Sequence, residues 1–204
     1  MDIQLNLINY SNDVANSQVL IFQKNEATNF GELAIAWKVI TNCGLGCNHP
    51  FVFPLKFEVC SSDSDGNYTR KMLATNGNRF AVEMGKSGHI LGLTSESTAS
   101  LLEVEVMNKL SLGSISANVF KGGKLLAKHP IVSPGLKAVF QFLPKIFIGV
   151  VSDVQQGEEI NTAVLSDINT EFDLLGINSA DIIMTGGGGG KRATQFRFEL
   201  DNVV

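Results

Sequence analysis

Apolar and polar residues alternate along most of this chain. Ile3, Leu5 and Leu7 are interleaved with Gln4 and Asn6, and Phe53, Leu55, Phe57 and Val59 with Pro54, Lys56, Glu58 and Cys60. The rhythm returns in Leu102, Val104 and Val106 against Glu103 and Glu105, and in Phe196, Phe198 and Leu200 against Arg197 and Glu199. Successive side chains of a strand point to opposite faces, so a period of two places one face in a core and the other in water. Residues 19–22 (Val-Leu-Ile-Phe) are apolar on both faces, the mark of a strand in the middle of a covered sheet.

Turn residues punctuate these runs. Gly122-Gly123 between Lys121 and Lys124 is the strongest hairpin signal, because glycine accepts the positive φ that a two-residue turn needs. Residues 85–88 and 61–67 read as further turns. Pro54 lacks an N–H for a ladder, which places its end of the strand at residues 53–60 on a sheet edge or bulge. Residues 33–40 admit two readings. Asn29 can cap a helix there, but Leu33, Ile35, Trp37 and Val39 alternate and favour a strand. Val164, Leu165, Ile168, Phe172 and Leu175 approach helical spacing, so one short helix is expected near residues 167–175. Many short strands at roughly 8–12-residue spacing predict an all-β fold, an antiparallel β-sandwich of the Ig-like or jelly-roll-like kind. It is read as one domain over residues 1–204, with 108–113 as the place for any internal boundary.

Composition narrows the function. Charged residues make up 18% of the chain against a typical ~25%. Few charges and 20 glycines fit a turn-rich β-protein, and also one that hides surface against other subunits. The net charge is −4 and no basic stripe exists to offset phosphates, so nucleic acid is not an expected partner. No apolar run approaches the ~18 residues of a membrane span. The N-terminus, Met1-Asp2-Ile3-Gln4, lacks a basic start and an apolar stretch, and three cysteines do not make a disulfide framework. A cytoplasmic protein is expected, with unconventional export left open.

Candidate chemistry is sparse. Cys43, Cys47 and His49 lie within seven residues and Cys60 follows, a set that suits tetrahedral zinc in ligand type but has no second close pair. Asp63-Ser64-Asp65-Gly66-Asn67 resembles the start of a calcium loop, yet no Glu follows until Glu83, and an Asx turn is the simpler reading. Residues 186–190 are all glycine, but Thr185 and Arg192 break a phosphate-binding loop pattern, leaving a mobile hairpin tip. His49, His89 and His129 stand outside any nucleophile motif, and a triad is then a matter of space, not of order. Glu103 and Glu105 share a face that the alternation makes solvated. Trp37 falls in an apolar pattern and reads as core. Tyr68, beside Asp63, Asp65 and Asn67, is the best exposed aromatic for stacking on a ligand. Residues 94–100, rich in Ser and Thr, read as a polar loop or as a segment that rearranges.

The resulting expectation is a non-enzymatic β-sandwich, without cofactor, that works through self-association or through a protein partner. A carbohydrate- or membrane-surface-binding module, lectin-like or pore-forming-like, using Asp63, Asp65, Asn67 and Tyr68, is the alternative. An enzyme built on Cys43, Cys47 and His49 comes third.

Overall fold

The computed structural model describes residues 2–27, 33–168 and 170–204, Leu33 through its backbone alone. Asn29 and its helix cap lie outside the described residues. The chain forms two compact units and passes between them four times: residues 1–23, 35–55 and 144–204 build the first, residues 24–34 and 56–143 the second.

The first unit opens with β1 (Ile3–Asn9) and β2 (Gln18–Phe22), and β3 (Leu33–Ala34) belongs to the second. The chain returns to the first unit for β4 (Lys38–Ile40) and β5 (Asn48–Phe53). The second unit then takes an unbroken run: β6 (Phe57–Ser62), β7 (Met72–Ala74), β8 (Arg79–Gly85), β9 (Gly88–Leu93), β10 (Val104–Asn108), β11 (Ile115–Lys121), β12 (Lys124–Val132) and β13 (Lys137–Phe140). The first unit closes with β14 (Lys145–Val151), the helix α1 (Thr162–Asp167), β15 (Thr170–Asp173), β16 (Ser179–Gly187) and β17 (Thr194–Asp201).

Each unit has two sheets. In the first they run β17-β16-β1-β5 and β15-β14-β2-β4; in the second, β13-β10-β8-β9 and β3-β12-β11-β6-β7. The fold is all-β and sandwich-like, and its ladders are antiparallel except for β1 with β16 and β10 with β8. The alternation of β1 is seen directly: Ile3, Leu5 and Leu7 are buried while Gln4 is exposed. Val19, Leu20, Ile21 and Phe22 are all buried, and β2 sits between β14 and β4 as a doubly apolar strand should. Trp37 is core, edge-on to Phe53 at 5.6 Å between ring centroids. The β11–β12 hairpin turns on Gly122 and Gly123, both with positive φ (57° and 76°).

Five expectations change. The run at residues 53–60 is not one strand: β5 ends at Phe53, Leu55 is exposed, and β6 starts at Phe57 in the other unit. Pro54 does sit next to a sheet edge, since β5 is the last strand of its sheet. Residues 33–40 hold two short strands, with buried Ile35, Ala36 and Trp37 between them. The helix ends at Asp167 instead of starting there. Asn161 caps it by accepting from Val164 N–H at 2.9 Å, and residues 170–173 are strand. Residues 186–190 are not a loose tip. Gly186 and Gly187 lie in β16 at a register shift against β17, and a 3-10 turn, Gly190–Arg192, completes the hairpin. Leu102, expected in the core, is exposed.

Residues 108–113 lie within the second unit. Asn108 is fully buried there. Its amide donates to the carbonyls of Gly113 and Val132, and its oxygen accepts from Leu110 N–H. What reads as a polar break is a closed turn held by one saturated side chain.

At position 149 packing alone requires glycine. A Cβ on Gly149 of β14 would come 2.6 Å from Ile168 Cγ1, on a stiff β-branched side chain. Gly149→Ala is expected to lower stability by about 2 kcal/mol through overpacking. A urea titration checks this, with the midpoint falling and the slope unchanged.

Candidate binding site

The β6–β7 connection begins where β6 runs out of apolar residues. Asp63 takes the first turn position. Its Oδ1 accepts from the N–H groups of Asp65 (3.0 Å) and Asn67 (2.9 Å), and its Oδ2 from the Asn67 side-chain amide (3.0 Å). Gly66, at φ 83°, closes the turn. This is an Asx turn, as the spacing without a distal Glu indicated. The Asn67 side-chain amide, then the Asn67 and Asp65 N–H groups and the nearby His89, hold the Asp63 carboxyl below the usual carboxylate range. Asp63 is therefore an anion at neutral pH, and its Oδ2 takes one bond only from the turn.

Thr69 locks the far side of the loop to β6. Its hydroxyl accepts from Ser61 N–H at 3.0 Å, and its own N–H donates to the Ser61 carbonyl at 2.9 Å. Tyr68 bridges to Ser62 through the backbone and leaves its side chain exposed (64%). Across from this loop stands the β8–β9 hairpin tip. Ser61, Ser62, Asp63, Asn67, Tyr68, Thr69, Ser87, Gly88 and His89 together line a cleft of about 300 Å³. Ser61 shares the inward face of β6 with Phe57 and Val59 and is 1% exposed. Among the described residues its Oγ has no hydrogen-bond partner. An unpaired buried hydroxyl costs about 1–3 kcal/mol, and this oxygen is closed off behind the cleft wall, out of direct reach of a ligand.

Three of the four binding residues expected from sequence thus meet in one cleft: Asp63, Asn67 and Tyr68. Asp65 is exposed on the turn and does not line it. Ser61, Thr69, Ser87 and His89 were missed as site residues. The available signal was a serine at an inward position of β6, where the pattern calls for an apolar residue. No triad closes here: Asp63 accepts from its own turn, and no hydrogen bond to His89 is found among the described residues.

The cysteine set does not converge. Cys43 and Cys47 are free thiols in the β4–β5 loop, the first half-buried and the second exposed, and His49 lies on β5 beside Phe51. Asn9 pins that loop: its side chain donates to the Cys43 carbonyl, and its backbone bonds Gly46 and Cys47. Cys60 is buried on β6, and burial pushes its thiol up to about 11. Among the described residues no group of three or more His, Cys, Asp or Glu side chains is placed to hold a metal ion.

The glutamate pair also departs from expectation. Glu105 is fully buried, not solvated, because residues 94–100 fold over its face of the β13-β10-β8-β9 sheet. Arg79 Nε donates to Glu105 Oε2 at 2.6 Å and Arg79 Nη1 to Glu96 Oε2 at 2.7 Å, while Lys137 Nζ and Ala99 N–H both reach Glu105 Oε1. Burial by itself raises the Glu105 carboxyl. The Lys137, Arg79 and Ala99 donors outweigh that and hold it below the usual range. The Ser/Thr segment is a strap fastened by charge.

Among the described residues no helix is long and apolar enough to cross a membrane. Comparison with known proteins finds no relative: no family model matches the chain, and neither a curated protein nor a solved structure matches it.

Proposed function

We propose that the protein is a binding module, not a catalyst, and that its cleft takes one unit of a polyhydroxylated ligand such as a glycan. The observation that carries this is the composition of the cleft. An anionic Asp63, Ser87 and His89 line it together with Tyr68, whose side chain is exposed. A sugar offers O–H donors to a carboxylate, hydroxyl acceptors to imidazole and serine, and a C–H face to a flat ring. At about 300 Å³ the cleft is at the small end of ligand sites, which limits it to a single ring. Its polar walls favour a sugar over a lipid surface.

The test is a glycan array with the labelled protein beside a Tyr68→Ala variant. Tyr68 is exposed, so its loss leaves the fold intact, and binding is expected to fall at least tenfold, or about 1.4 kcal/mol. Silence of the unaltered protein on the array sinks this reading.

A further inference from the structure

The edge of β9 points to a second activity, which uses backbone groups of the strand and shares His89 with the cleft. β9 is the last strand of its sheet and, among the described residues, hydrogen-bonds β8 alone. Thr94 N–H donates to the Arg79 carbonyl. Antiparallel pairs alternate, so Gly92, Ile90 and Gly88 also bond towards β8, and His89, Leu91 and Leu93 turn their N–H and C=O groups outward. Among the described residues no hydrogen bond engages those outward groups. β9 reads Gly-His-Ile-Leu-Gly-Leu, without the lysine, proline or inward charge that blunts most exposed edges, and Ile90 and Leu93 are each 55% exposed.

We propose that β9 pairs antiparallel with β9 of a second copy of this chain about a twofold axis through Leu91, joining two β13-β10-β8-β9 sheets into one. Outward groups must meet outward groups, which restricts the register. Centring on Leu91 pairs Leu91 with itself and His89 with Leu93 in both directions, using every outward group on the strand. The same register sets Ile90 opposite Gly92 of the second copy. A hollow of about 270 Å³ adjoins that glycine, walled by Ile90 and Ala81 and rimmed by Glu83, Glu96 and Lys109, and the incoming isoleucine packs against its apolar side. The register also brings Lys86, exposed in the β8–β9 turn, to the same end of the strand pair as Glu96 of the second copy, whose side chain is 57% exposed and bonded to Arg79. Opposite charges then lie at each end of a strand pair with no charge of its own.

Sedimentation velocity over a concentration series tests this. The unaltered protein is expected to be a dimer. A Cβ at Gly92 meets nothing within 4 Å and its φ is not positive, so Gly92→Lys fits the monomer and is expected to abolish the dimer with unchanged circular dichroism. Lys86→Glu places like charges at each end of the strand pair and is expected to weaken the dimer about tenfold. A monomer at every concentration overturns the proposal. So does a dimer indifferent to Gly92→Lys or to Lys86→Glu.

Discussion

Gly186→Ala is expected to be the most damaging single-atom change in the molecule, lowering stability by about 4 kcal/mol. Two effects add. Gly186 has φ 83°, where a side chain strains the backbone. Its Cβ would also stand 2.1 Å from the Gln195 carbonyl oxygen on the paired strand β17, which cannot move without breaking the ladder. Gly186 also accepts a 2.7 Å hydrogen bond from Asn12 N–H, so a shift in the bulge spreads to the loop after β1. Chemical denaturation gives the number. Gly190→Ala, in the same run and with nothing within 4 Å of its Cβ, is the control and is expected to cost only its positive-φ strain, about 1–2 kcal/mol.

Arg79→Met is expected to lower stability by about 3 kcal/mol, because removing one partner leaves the buried Glu105 charge under-compensated. It also unfastens Glu96 from the sheet, so amide exchange should quicken across residues 94–100. Acid should reproduce part of this. The Glu105 carboxyl is held below its ordinary value of 4.5 in the folded chain. Its contribution is therefore complete above that value and is lost as pH falls through the folded-state value. Urea midpoints measured from neutrality down to about pH 3 are expected to drop in the unaltered protein more steeply than in Glu105→Gln, which has no proton to take up there. Equal slopes would show that other carboxylates dominate acid unfolding.

The Gly122-Gly123 hairpin, the doubly apolar β2 and the Asx turn at Asp63 were legible because each is decided within a few residues. Glu105 was not. A period of two assigns residues to faces but does not say what covers a face, and the strap at residues 94–100, though it directly precedes β10, covers Glu105 only by folding back over it. Residues 53–60 show the same limit. Their alternation continues unbroken while the chain leaves one unit for the other at 55/56, and only Pro54 marks the place; Pro144 marks the return. The cleft was half legible. Asp63, Asn67 and Tyr68 share one loop, whereas Ser87 and His89 reach it from a hairpin that only the sheet pairing brings near.

The proposed sugar site is the cleft between the Asp63 loop and the β8–β9 tip. An amide-resolved NMR titration with a panel of methyl glycosides of glucose, galactose, mannose and N-acetylglucosamine addresses it directly. At least one glycoside should give saturable shifts confined to residues 61–69 and 87–89, and these should vanish in Tyr68→Ala. Shifts that map to another surface, or none from any glycoside, contradict it.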